Sequence, residues 1–580
     1  MRFPSLDLLA ERARHVAVRF PWTTAAGVLA AAFGIAATYA ADPDDMVRAT
    51  MVAALALPAS IALTLTAERH RWPAALRHGL QLLAALALVG FWFAWPGVDE
   101  KHHAIRYLQL SAALHLSVAF LPWLGSEETR GFWQYNRRLF LGFLRAGVFS
   151  AVLFAGAAVA LAALDALFGI DIDDETVARV WFVAAFVVNT FIFLAAVPED
   201  LASLEHDTEY PRALKVFAQY VLTPLAFGYL LILLAYLVKL VAGAEWPSGW
   251  IGWLVTSVAV TGMLGFLLVH PLRDEDGEAW IRTYTRWLFI GLVPASVMLL
   301  VAFWKRIVPY GMTEPRVLGI VLGVWLLVIS IGYALRPGAG IRRIPVSLAA
   351  VLVVMLYGPL SLPAISVASQ RDRLRELLPL AADSTDAARE ASAALRFLIE
   401  HRAGNEIAAA IGRDVPAATW DSVDVRGAGL DSTGARIMAL AGAPYVPQYD
   451  ARLMSRGEFQ LHAPASERRD IAGFDWIVEL SGSDATTERI AGDTIRTRMD
   501  TLTGVLSIGT ASDTFRFDLG ALAARRAGDM RHQIAAESLQ ASAMGDSSRA
   551  RLALTNIGGS SRGDTVVVRH WSGWLMVRND

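Results

Sequence analysis

The feature that most constrains the fold is a series of apolar stretches close to 20 residues long. A helix of that length crosses about 30 Å of hydrocarbon. About eleven such stretches precede residue 367, with approximate cores at 21–40, 47–66, 76–95, 104–124, 139–163, 178–197, 216–241, 251–269, 288–304, 317–335 and 346–366. Only 18% of the residues are charged, against about 25% in average soluble proteins. The sequence therefore predicts an α-helical polytopic membrane bundle.

The orientation of the bundle follows from its loops, because Lys and Arg are retained on the cytoplasmic side. Alternate loops are rich in these residues: Arg2, Arg12, Arg14, Arg19, Arg69, Arg71, Arg77, Arg130, Arg137, Arg138, Arg212, Lys215, Arg273, Arg282, Arg286, Arg336, Arg342 and Arg343. The other loops hold fewer, and 41–45 and 171–175 carry only acidic charges. We expect a cytoplasmic N-terminus. An odd number of spans then places the chain after residue 366 in the periplasm of a Gram-negative cell.

Three regions are predicted along the chain. Residues 1–20 form a cytoplasmic helix that either lies on the inner membrane surface or only flanks the first span, and residues 21–366 form the transmembrane domain. From residue 367 charges become frequent and long apolar runs stop. Residues 367–580 are predicted to form a small soluble α+β domain outside the cytoplasm.

Helices come first in this last domain. Helical periodicity covers 369–380 and 387–411, with a stop at Gly412, and short alternating runs predict strands at 475–480, 494–499, 505–508, 514–517, 551–554, 565–570 and 574–577. The run 566–577 is interpreted as a hairpin that turns at Ser572 and Gly573.

Several functional classes find no support in the sequence. The net charge of -2 gives no basic excess for nucleic acid, and the lack of cysteine excludes disulfides, thiol nucleophiles and cysteine-bound metals. Residues 559–563 match the hydrolase pattern G-x-S-x-G, but a strand follows where a helix is needed, so a hairpin loop is the simpler interpretation. We identify no catalytic residue, metal site or cofactor.

Ionisable residues inside membrane spans are costly and need partners or an interface. His115 lies near the middle of a predicted span, whereas Arg145 and Lys239 lie near span ends. His115 is either a hydrogen-bonded structural residue or part of a central cavity. The G-x-x-x-G motif at 319–323 is expected to pack against another helix of the same chain.

A short polar loop between the ninth and tenth spans holds the remaining site candidates, Tyr310, Glu314 and Arg316. Pro315 disfavours helical geometry at Glu314, which places this carboxylate before the tenth helix, near its positive end. Two hypotheses follow. Glu314 pairs with Arg316 or Lys239 and fixes a turn, or Glu314 and Arg316 form a polar site at the mouth of the bundle.

The order of several short motifs resembles a known family. The motifs are Pro198-Glu199-Asp200-Leu201, Glu209-Tyr210-Pro211-Arg212, Gln219-Tyr220-Val221-Leu222-Thr223-Pro224-Leu225, Trp246-Pro247-Ser248-Gly249-Trp250 and Tyr310-Gly311-Met312-Thr313-Glu314-Pro315-Arg316. This succession resembles the Domain of Unknown Function 4153 family of bacterial polytopic membrane proteins, most clearly over 140–365. The resemblance implies an inner-membrane protein with a trailing soluble region. It brings no reaction, ligand or catalytic residue.

Three functional hypotheses remain. The first is an envelope-associated sensor or scaffold whose periplasmic domain binds a protein or lipid partner, with the lipid bilayer as the constant partner. The second is a transporter or channel for an unidentified solute, and the third is an enzyme acting on a lipid-linked substrate. We favour the first, and with it a protein that is not an enzyme, because about 210 residues form the outer domain and no transporter signature is present.

Overall fold

The computed structural model describes residues 6–579, with gaps at 96–100, 127–128, 244–249, 275–278, 417–427, 448–457, 463–470, 472, 483–485, 491–492, 501–502, 511–512, 526–538, 546 and 563–564. The predicted loop motif at 246–249 and Gly563 therefore lie outside the described residues. The chain divides into two compact units, Met1–Gln370 and Arg371–Asp580.

The first unit is helical. Its helices are α1 (Leu6–Arg19), α2 (Pro21–Ala37), α3 (Asp44–Arg69), α4 (Ala74–Phe93), α5 (Lys101–Phe120), α6 (Thr129–Phe168), α7 (Asp174–Phe182), α8 (Asn189–Leu194), α9 (Arg212–Val216), α10 (Thr223–Val241), α11 (Trp250–Val269), α12 (Trp280–Tyr310), α13 (Glu314–Leu335), α14 (Arg343–Val354) and α15 (Leu362–Ala381), which runs on into the second unit. π-helices join α7 to α8 at Val183–Val188 and α9 to α10 at Phe217–Leu222.

The surface of this unit has the character expected in lipid. Nine helical segments of the described ranges are long and apolar enough to cross a membrane, and the bent pair Ala10–Arg19 and Pro21–Ala37 raises the number to ten. In α6, Val148 and Val152 are 63% and 66% exposed, although water would disfavour such a surface. The predicted fold class is confirmed, and the protein is a multi-pass membrane protein.

Glycines bring several helices close together. A Cβ on Gly319 would lie 2.1 Å from the Phe303 ring of α12, and one on Gly323 would lie 2.9 Å from Leu300. The G-x-x-x-G face of α13 therefore packs on α12 of the same chain, as predicted.

The eleventh predicted span, 346–366, is not one continuous helix. α14 has 12 residues and so extends about 18 Å at 1.5 Å per residue. Gly358, with a φ of 80°, and Pro359, which has no N–H to donate, separate it from α15. α14 runs antiparallel to α5: Arg342 donates to the Trp123 carbonyl at 2.6 Å, and Gln109 donates to the Met355 carbonyl at 3.3 Å.

The second unit begins with helices and continues as strands. After the end of α15 come α16 (Thr385–Glu400), α17 (Gly404–Ile411), α18 (Ala428–Leu440), β1 (Glu458–His462), β2 (Trp476–Gly482), β3 (Thr486–Ile490), β4 (Asp493–Asp500), β5 (Val505–Gly509), β6 (Thr514–Asp518), α19 (Leu519–Ala524), β7 (Gln540–Met544), β8 (Ser548–Arg562) and β9 (Thr565–Asn579). The predicted helix 387–411 is interrupted at 401–403, and its stop at Gly412, with a φ of 68°, is confirmed.

Two antiparallel sheets share one core in this unit. One has the order β1-β8-β9-β2, with β7 also paired to β8, and the other is the meander β3-β4-β5-β6. Leu506 and Phe517 of the meander and Leu552 and Leu575 of the larger sheet belong to the same buried cluster. The predicted α+β character is confirmed.

The predicted hairpin at Ser572 and Gly573 is wrong, because β9 continues straight through both residues. Gly573 lies against β8, where a Cβ would meet the Ala553 carbonyl at 2.6 Å, and the register shifts beside it between Leu554 and Asn556. The glycine therefore serves close strand contact. Arg562 pairs with Thr565 instead, so the serine motif ends a strand that leads into an antiparallel partner.

Candidate functional site

The turn between α12 and α13 brings three of the predicted site residues together. The Arg316 guanidinium donates to the carbonyls of Tyr310 at 3.1 Å and Gly311 at 2.7 Å, and Gly311 has a φ of 67°. Glu314 begins α13 and is 4% exposed, whereas Tyr310 is 56% exposed. Arg316 thus closes the turn through backbone carbonyls.

α15 holds the same turn from a second side. Ser369 accepts a hydrogen bond from the Met312 N–H at 3.0 Å, and Gln370 donates to the carbonyls of Met312 at 2.8 Å and Tyr310 at 3.3 Å. These contacts favour a structural role for the turn. A polar site formed by Glu314 and Arg316 stays a prediction.

The other two candidates lie apart from this turn. His115 is exposed on α5 and shares a 2.8 Å hydrogen bond with the Ser111 carbonyl of its own helix. Lys239 is exposed in the last turn of α10. The structure does not place them in one site with Tyr310, Glu314 and Arg316.

A polar hub forms where the loop 195–211 meets the ends of α1, α3 and α6. Asp207 accepts a 2.7 Å hydrogen bond from Arg138 and lies 3.5 Å from Arg137, whose side chain is 5% exposed. Gln134 donates to the carbonyls of Asp207 and Glu209 at 2.9 and 3.0 Å. Burial raises the pKa of Asp207, but the Glu209 N–H and the two arginines outweigh it and hold this pKa below its usual value.

The hub also fixes the first helix. Arg19 donates to both carboxylate oxygens of Glu68, at 3.0 and 2.8 Å, and to the carbonyls of Val197 and Pro198. Arg77 donates to the Arg19 carbonyl at 2.6 Å. These bonds hold the 108° bend between α1 and α2.

Sequence analysis marked two motifs of this loop without their partners. Tyr210 stacks on Trp133 with ring centroids 5.1 Å apart, and its hydroxyl donates to the Leu268 carbonyl at 2.9 Å. The pairing of Asp207 with Arg138 across 69 residues has no sequence signal.

A groove on the side of the bundle is the strongest candidate for ligand binding in the first unit. Its volume is about 600 Å³, and it is lined by Gln219, Tyr220, Thr223, Pro224, Phe227, Trp280, Thr283, Tyr284 and Trp287. Tyr220 and Trp287 are 73% and 57% exposed, so the groove opens sideways. The four residues from α12 follow the helical spacing i, i+3, i+4 and i+7, a signal that our sequence analysis did not use.

The π-helix beside this groove has a physical cause. Pro224 has no N–H, so the backbone cannot continue its regular hydrogen bonds there. The Thr223 hydroxyl donates to the Ala218 carbonyl at 2.6 Å and satisfies a group that the irregular turn leaves free. π-helices of this kind occur frequently at functional sites.

The groove is suited to holding an amphipathic molecule by its apolar part. Aromatic rings form most of its wall, and Gln219 and Thr283 supply polar groups. No Asp, Glu, His, Lys or Arg is among its described lining residues, so this lining supplies neither acid nor base. Across the described ranges, no group of three or more His, Asp or Glu side chains could hold a metal ion.

Comparison with known proteins identifies similarity to uncharacterised sequences. A family model described as "Domain of unknown function (DUF4153)" matches residues 25–390, more than half of the chain. An uncharacterised protein of Pasteurella multocida is 22% identical over 279 residues, which cover 48% of this chain and 46% of that protein. The chain thus spans about half the length of this relative. No solved structure matches.

Proposed function

Because this chain belongs to the DUF4153 family, whose description states no activity, we propose a function from its structure. We propose an inner-membrane protein that acts as an envelope-associated sensor or scaffold. Its N-terminus is cytoplasmic, and its C-terminal domain, 367–580, binds a protein or lipid partner in the periplasm.

The orientation is supported by the Arg-rich alternate loops and by the path of the last predicted span. α14 and the start of α15 together run beside α5: Arg342 lies at Trp123, and Tyr357 lies over Arg106, with 5.4 Å from guanidinium to ring centroid. This path retains an eleventh crossing as a broken span. An odd number of crossings places the C-terminal domain opposite the N-terminus.

The observation that carries the functional proposal is the separate core of the C-terminal unit. Both of its sheets contribute to one buried cluster, as expected of a domain that presents its own binding surface. In contrast, His115, Arg145 and Lys239 are exposed on their helices. Lipid-exposed ionisable groups do not provide the central polar path that a transporter or channel uses.

A transporter is the second candidate, and the groove beside Pro224 is the observation that favours it. Broken helices form substrate sites in many transporters. That function requires solute-dependent flux in vesicles, and Thr223→Val, which removes the hydroxyl bond to Ala218, should reduce the flux. An enzyme acting on a lipid-linked substrate has less support, because the described lining of the groove contains no acid or base.

Replacing the C-terminal unit tests the proposal. In a strain with a deletion phenotype, residues 371–580 are exchanged for an unrelated soluble domain of similar length. We expect full membrane abundance with loss of complementation, whereas the control His115→Gln should complement. Complementation by the exchanged protein would assign the function to the bundle and refute the proposal.

A further inference from the structure

Three arginines gather on one face of the larger sheet in the C-terminal unit. Arg549 and Arg551 are two residues apart on β8 and therefore point to the same face. Arg578 of β9 pairs directly with Arg549 and so shares that face. Like charges directly opposite each other destabilise a sheet. An anion bound between them would remove this repulsion.

A cavity of about 340 Å³ lies at these arginines, and it contains an apolar side. Its lining comprises Gly473, Phe474, Ser542, Ala543, Met544, Arg549, Ala550, Arg551 and Arg578. Arg551 lies 5.0 Å from the Phe474 ring centroid, which orients its guanidinium. Met544 is 73% exposed at the rim.

The described lining of this cavity has three positive side chains and no carboxylate. The nearest acidic residue along the chain is Asp475, which follows Phe474 and precedes β2. The local balance therefore remains positive even with Asp475 counted. Guanidinium groups bind phosphate oxygens through paired, charge-assisted hydrogen bonds.

We propose that this cavity binds a phosphate group, with Arg551 and Arg578 as its principal ligands. Phe474 and Met544 contact an apolar part of the ligand where the phosphate carries one. The source is either free phosphate or the phosphate of a lipid headgroup. The inference rests on the proposed function, since it names the chemistry that the C-terminal domain would recognise.

Titration calorimetry on the full chain tests this site. The protein is held in nanodiscs of phosphatidylcholine, and the titrant is inorganic phosphate in one arm and dihexanoyl phosphatidic acid in the other. Arg551→Gln combined with Arg578→Gln should weaken binding at least tenfold. The control is Arg516→Gln, an exposed arginine of β6 outside the cavity.

Each outcome has one meaning. Binding of both titrants supports a free-phosphate site, and binding of phosphatidic acid alone supports a lipid headgroup site, provided that the double variant loses binding and the Arg516 control keeps it. Binding that the double variant leaves unchanged, or no binding in either arm, overturns the proposal. In that case the exchange of residues 371–580 still tests the proposed function, because it does not depend on this cavity.

Discussion

The ion pairs of Asp207 should determine how firmly the loop 195–211 is held on the bundle. Asp207→Asn removes the negative charge that faces Arg138 and the buried Arg137. Breaking a buried ion pair costs about 3–5 kcal/mol. The Arg138 side chain is 41% exposed, so we take the lower value, about 3 kcal/mol. The free energy of local opening should fall by that amount.

The absence of cysteine from the chain provides the assay. Leu204 in this loop is 1% exposed, so Leu204→Cys places a thiol that a maleimide reaches only when the loop opens. Since about 1.4 kcal/mol corresponds to a factor of ten, Asp207→Asn in this background should speed labelling about 100-fold. The control is Asp200→Asn, an exposed residue that accepts a 2.9 Å bond from Ala202, with an expected change of less than about fivefold.

The same charge sets the pH dependence of the loop. The pKa of Asp207 is lowered in the folded protein, so its stabilisation is complete above the ordinary pKa of 3.8 and is lost as the pH falls through the lower folded value. Labelling of the Leu204→Cys protein should therefore show no Asp207-dependent change near neutral pH. A labelling rate for Asp207→Asn that matches the Asp200→Asn control would refute the reasoning.

Three further predictions follow from the topology and the close contacts. A reporter fused after Gly338 should be on the cytoplasmic side and one fused after Asp580 on the periplasmic side; alkaline phosphatase that is active at the first and inactive at the second would reverse the orientation. Arg316→Gln should lower membrane abundance, measured by immunoblot, because it removes two bonds that close the α12–α13 turn; unchanged abundance with lost complementation would favour the polar site instead. Gly573→Ala should destabilise the C-terminal unit by about 1–3 kcal/mol, measured by thermal unfolding, because its Cβ would lie 2.6 Å from a carbonyl, whereas Gly509→Ala, with contacts of 3.8 Å or more, should change it little.

Hydropathy predicted the membrane bundle because a span must be apolar over its whole length, which single-residue scales detect. It did not predict the break after α14, because 346–366 remains apolar through Gly358 and Pro359. Nor did it predict the π-helix at Phe217–Leu222, whose hydrogen-bond pattern leaves hydropathy unchanged. Pro224 marked an interruption but did not specify its form.

In the soluble part, the sequence predicted strands well but not how they join. Ser572 and Gly573 have the composition of a turn, yet Gly573 is needed for contact with β8 in the middle of a strand. Tertiary contact overrode the local signal. The arginine cavity escaped prediction for a related reason, because Arg549 and Arg578 become neighbours only through strand pairing.

The order of the larger sheet has a consequence for folding during synthesis. The meander β3-β4-β5-β6 joins consecutive strands, so it can form as soon as β6 emerges. In contrast, β1 pairs with β8, and β2 pairs with β9, so both early strands wait for partners from the far end of the unit. Unpaired strand edges bind other chains readily. The interval between the emergence of β2 and that of β9 is therefore when this unit is most exposed to aggregation.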